Sequence, residues 1–127
     1  MDGTNNSAML SSMSAKLSQD KNIDHVITLG APVALVALQA VGQANSSAKV
    51  VTFDTNPALV QKIKSGQIVW AVDQQPFLQG YESIDALWLF KVNGNILGGG
   101  KPTLTGPYLV DKANVAFVGK FAAAGTR

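Results

Sequence analysis

The chain has no cysteine, which excludes disulfides, thiolate metal sites and cysteine nucleophiles. That absence suits an exported protein as well as a cytosolic one, so compartment stays open. There is one histidine, His25, at the start of an apolar run. No serine or carboxylate pattern around it spells catalysis, and a structural or solvent-facing role is the reading. Charged residues make up only 14% of the chain, with a net charge of +2. The ten Lys and Arg are scattered singly, so no basic stripe exists to neutralise a phosphate backbone, and nucleic acid is not a partner. No apolar run approaches the roughly 18 residues that a membrane-spanning helix needs. The opening MDGTNNSAM has neither the basic region nor the apolar core of a signal peptide. Gly98-Gly99-Gly100-Lys101 is followed by Pro102, not by the Ser or Thr of a phosphate loop. No nucleophile–base pair or metal cluster stands out, so the chain reads as a non-enzyme without a cofactor.

What is present is enough apolar material, 46% of 127 residues, for one modest core. Met9, Leu10, Met13 and Leu17 share a helical face over 6–19, with Asn5, Asn6 or Ser7 as a cap. HVITL suits a buried strand. Gly30 follows it, and Pro32 opens a helix, VALVALQAV, that is apolar nearly all round and must be covered. Gly42 is its predicted stop. KVVTF is the second strand. Pro57 starts a helix carrying Leu59, Val60 and Ile63, which Gly66 closes. QIVWAV is the third strand. Phe77, Leu78, Tyr81, Ile84, Leu87 and Trp88 then form a wide apolar face on a helix reaching about Asn93. NGNILGGGKP reads as a loop. TLTGPYLVDKANV reads as extended, with Pro107 arguing for an edge or crossover segment. The tail FAAAGTR reads as frayed. Alternating helices and strands with short connections predict an α/β fold on a parallel sheet.

Two polar residues fall where strands end: Asp54 after VVTF and Gln74 after IVWAVD. Ligands of open α/β sheets bind outside the carboxyl ends of the strands. An ionised carboxylate can grip neighbouring hydroxyls, but Asp54 also suits an Asx turn or helix cap ahead of Pro57, and the two roles need not exclude each other. Gln74 is open in the same way, between a ligand contact and satisfaction of strand-end backbone groups. If Gln74 faces a cleft, Asp73 and Gln75 point elsewhere. Trp70, Trp88 and Phe53 read as core residues rather than stacking platforms. Phe77 carries the same reading, but adjoins the crossover.

The combination of VVTFD and AVDQQPFLQGY, preceded by NIDHVITLGAPVALVALQAV, resembles periplasmic sugar-binding proteins of the ribose-binding type, the solute receptors of bacterial ABC importers. The resemblance runs from Asp2 to Val115. It implies one three-layer, parallel-sheet lobe of a two-lobed α/β receptor, and an incomplete one: relatives are about twice as long, and the N-terminal lobe would be missing. It implies that 1–75 belongs to the C-terminal ligand-binding lobe, that 76–103 is a helix and loop that would pack on the N-terminal lobe, and that 104–127 is a crossover segment and tail. It implies a sugar or polyol ligand held by Asp54 and Gln74. Many relatives carry an Asn-Asp pair after the strand that here ends at Leu29. Gly30 and Ala31 stand there instead, which removes a side-chain contact and leaves their backbone groups to line the cleft. Partners implied are the importer's membrane subunits and the other lobe, with a periplasmic or membrane-anchored extracellular location for the full-length relative. The same fold serves effector-binding lobes of lac-repressor-type regulators, which the DQQP.LQGY wording disfavours. A receiver domain would need an acidic pair after the first strand and a Lys after the last, and has neither. A lone half-receptor would expose an apolar patch and a strand edge, and would self-associate.

Overall fold

The computed structural model describes residues 5–127. The start of the 1–75 segment and of the resemblance, at Met1 and Asp2, lies outside them. Helix α1 spans Asn6–Gln19, with the Asn5 side chain accepting the Ala8 N–H at its start. Strand β1 (His25–Thr28), helix α2 (Ala31–Gln43), strand β2 (Lys49–Phe53), helix α3 (Pro57–Lys64) and strand β3 (Ile68–Asp73) follow in strict alternation. Helix α4 then runs from Pro76 to Asn93, and a short 3-10 turn covers Leu97–Gly100. Strand β4 (Tyr108–Asp111) and helix α5 (Val115–Ala123) complete the chain.

The four strands form one sheet in the order β1-β2-β3-β4. The first three are parallel, as the βαβ pattern predicts, and β4 runs antiparallel to β3 at the sheet edge. The edge position agrees with the Pro107 argument. The reversed direction follows from the long excursion through α4, which returns the chain to the end of the sheet it left. Two parallel crossovers that step the same way place α2 and α3 on one face, because such connections are right-handed. On that face Ala34 and Ala37 of α2, Leu59 and Ile63 of α3 and Val118 of α5 pack with Val50, Ile68, Ala71 and Val110 of the strands. Leu59, Ile63 and Ile68 are fully buried, each side chain contributing about 1.5–3 kcal/mol. A satellite cluster of Leu17, Ala40, Ala44 and Ala48 seats α1 against α2.

Register places Ile27, Val51, Phe53, Val72 and Leu109 on the second face. Ile27 there is 65% exposed and Leu109 50%. The sequence implied three layers in an incomplete lobe; here helices cover the first face, and the second is largely open among the described residues, although Val51 on it is 2% exposed.

Four predictions need correction. HVITL is not a buried strand: β1 lies at the sheet edge, only its Thr28 is buried, and Leu29 is 84% exposed. The tail does not fray at FAAAGTR. Phe121, Ala122 and Ala123 belong to α5, and Arg127 reaches back to pair with Asp73. Trp88 is not a core residue but 61% exposed. Gly42 does not stop α2, which ends at Gln43 with the turn made by Asn45 at φ 46°.

Candidate functional site

β2 and β3 lie side by side and parallel, so their carboxyl ends emerge together. Phe53 pairs with Val72 in register, which brings the following residues Asp54 and Gln74 within reach of one another. The Gln74 Nε2 amide donates to Asp54 Oδ1 at 3.0 Å. The bond joins the two residues that sequence reasoning had picked out separately. Gln74 is exposed and Asp54 half-buried, and one carboxylate oxygen uses few of its lone pairs in this bond.

Local chemistry sets the Asp54 backbone. Its N–H donates to the Val72 carbonyl at 2.8 Å, extending the β2–β3 ladder by one bond. Its φ is 63°, a left-handed conformation that Asp tolerates better than most residues. The cap of α3 is not Asp54 but Asn56, whose Oδ1 accepts the Leu59 N–H at 2.7 Å. The helix therefore leaves the Asp54 carboxylate unclaimed.

Two buried threonines support the floor below. Thr28 Oγ1 donates to Thr52 Oγ1 at 2.7 Å, and Thr52 Oγ1 donates to the Thr28 carbonyl at 3.2 Å. This stitches the ends of β1 and β2 and satisfies both hydroxyls, as buried polar groups require. Gly30 caps α2 with extended backbone and is half-buried. Ala31 is 2% exposed and belongs to the core, so of the pair only Gly30 presents appreciable surface. Gln74 also lines a groove of about 390 Å³ with Phe53, Val72, Thr105, Gly106 and Pro107. Asp73 and Gln75 do point elsewhere. Asp73 is fully buried, and Gln75 Nε2 donates to the Thr105 carbonyl. His25 is half-exposed and bonds Asp24 Oδ1 at 2.9 Å, away from the strand ends that carry the site. Trp70 is half-buried in β3, and Phe77 is exposed at the start of α4. Among the described residues no group of acidic or imidazole side chains could hold a metal ion, and no helix is long and apolar enough to cross a membrane.

The Thr28–Thr52 pair and Asn56 were missed from the sequence. Asn56 directly precedes Pro57, the signal that would have identified it as the cap.

Residues 2–94 match the model of the periplasmic binding protein domain. The chain belongs to the periplasmic binding protein family. Among solved structures, this family member superposes on a carbohydrate transporter from Acidothermus cellulolyticus 11B in complex with myo-inositol. The two share 52% identity and a TM-score of 0.94 over 99% of this chain. The chain spans 44% of that protein's length. It is also similar to a Caulobacter myo-inositol binding protein, at 26% identity and TM-score 0.72 over 88% of this chain and 38% of that one. A solute-binding protein from Agrobacterium vitis bound with alpha-D-tagatopyranose shares the fold at 24% identity, TM-score 0.71, over 99% of this chain and 41% of that one. The comparison with curated proteins gave no match. Homology to solute-binding proteins of sugar transport follows, as does the α/β lobe.

Proposed function

We propose that this periplasmic binding protein lobe supplies one jaw of a receptor for a sugar or cyclic polyol, in the service of an ABC importer and without chemistry of its own. The observation that carries the reading is the Asp54–Gln74 pair at the adjoining ends of β2 and β3. A polyol offers neighbouring hydroxyls, each both donor and acceptor. A carboxylate accepts from two of them, and a carboxamide donates to one and accepts from another. The existing bond between Asp54 and Gln74 aims both groups before ligand arrives, which lowers the ordering cost of binding. Gly30, and Ala31 through its backbone, would border the same strand ends. The 52% identity with a protein in complex with myo-inositol favours a cyclic polyol. The same homology supports a periplasmic location and closure of two lobes around the ligand, a hinge movement that the importer senses. The helix and loop of 76–103 would then lie against the other lobe, with 104–127 crossing back.

The test joins this chain to the remaining part of the Acidothermus protein, in place of the matching 44%. Calorimetry with myo-inositol and a panel of aldoses should show saturable binding to the chimera. This chain alone should bind far more weakly, because it holds half the contacts. A folded chimera that binds no sugar or polyol would refute the reading.

A further inference from the structure

Asp73 ends β3, directly before Gln74, and is fully buried. A buried carboxylate needs partners for its charge, and both its oxygens have one. Oδ1 accepts the Gln75 backbone N–H at 2.8 Å, and Oδ2 accepts from Arg127 Nε. The same guanidinium lies over the Tyr108 ring, 4.4 Å from its centroid. Tyr108 is the register partner of Asp73 on β4. One side chain therefore grips both strands at the point where the chain leaves the sheet and where it returns.

Further bonds tie the two passages together. Thr105 Oγ1 donates to the Gln74 carbonyl at 3.0 Å, and Gln79 Nε2 donates to the same oxygen at 2.9 Å. Gly106 comes so close that a Cβ there would lie 3.1 Å from the Asp73 carbonyl oxygen. Gln75, between them, has φ 56°. A non-glycine residue holds that left-handed conformation only where its surroundings impose it. The Asp73 carboxylate on its N–H is one such imposition, and the side-chain bond to Thr105 is another.

We infer that Arg127 is a positioning residue for Gln74: by holding the Asp73 carboxylate it fixes the 73–75 turn and so aims the Gln74 carboxamide at Asp54. Its meaning for ligand binding rests on the polyol reading, but the geometry does not. Without the guanidinium, Asp73 Oδ2 is a buried charge without a partner. The carboxylate then turns toward water, Gln75 N–H loses its acceptor, and Gln74 is no longer held toward β2.

The test is nuclear magnetic resonance on the 127-residue chain. Arg127→Ala should shift both Gln74 carboxamide signals and speed exchange of the Gln75 amide about tenfold or more, with β1 amides unmoved. Arg127→Lys keeps the charge but loses the planar fork and the stacking on Tyr108. It should restore part of the Gln75 protection and leave the Gln74 signals displaced. It also serves as the readout should the alanine variant fail to fold. Unchanged Gln74 and Gln75 signals in either folded variant would overturn the inference. A chimera that binds no polyol while these signals move would refute the functional reading alone.

Discussion

α2 and α4 are both rich in apolar residues, yet they meet opposite surroundings. α2 buries Ala31, Ala34, Val36, Ala37 and Ala40, and all but Val36 belong to the two core clusters. α4 buries none of its 18 residues, and Ile84 is 68% exposed. The difference lies in the connections. α2 joins two adjacent parallel strands, so the crossover lays it on the sheet. α4 leaves from β3 and returns by a long loop to an antiparallel strand, and nothing in that path presses it against the lobe. Apolar pattern tells that a helix has a face to cover; topology tells what covers it.

The largest effect should come from the covered region. Asp73→Ala leaves the Arg127 guanidinium with 15% side-chain exposure and no carboxylate. The expected loss is about 3–5 kcal/mol in denaturant unfolding. Leu59→Ala, at a fully buried site, should cost about 2–5 kcal/mol. Leu87→Ala in α4 should stay within about 0.5 kcal/mol, and a loss equal to that of Leu59 would break the comparison. Next comes association. Ile84→Glu with Trp88→Glu should leave stability nearly unchanged and reduce self-association seen by light scattering. A wild-type chain that stays monomeric and binds no apolar dye would contradict the expected patch.

The smallest effect concerns Asp20 at the end of α1. The Asn22 backbone N–H, and then Lys16, hold its carboxyl below the usual carboxylate range. A lowered folded-state value means a stabilising contribution present above the ordinary pKa and lost as pH falls through the folded one. A carboxyl titration by resonance should show this midpoint below that of a model aspartate, and Asp20→Asn should remove the dependence.

The α/β alternation was legible because each strand is a short apolar run and the helices between and after the parallel strands, α2, α3 and α4, open on Pro32, Pro57 and Pro76. Asp54 and Gln74 were legible because they follow such runs directly. Their mutual bond was not, since it depends on which strands are neighbours. Arg127 pairs with Asp73 across 54 positions, a separation that no local pattern encodes. The direction of β4 depends likewise on where α4 sends the chain. The α5 helix left a trace, the spacing of Val115, Val118 and Ala122, that the small residues of the tail obscured.

The central claim is that Asp54 is a ligand group and not only a turn residue. Asn56 already caps α3, so Asp54→Ala should cost only the strain of an alanine at φ 63°, about 1–2 kcal/mol, and leave the fold intact. In the chimera with the rest of the Acidothermus protein, calorimetry should show a loss of myo-inositol affinity of about ten- to a hundredfold, because a charged hydrogen-bond partner is worth roughly 1.5–3 kcal/mol. Unchanged affinity in a folded Asp54→Ala chimera would contradict the account.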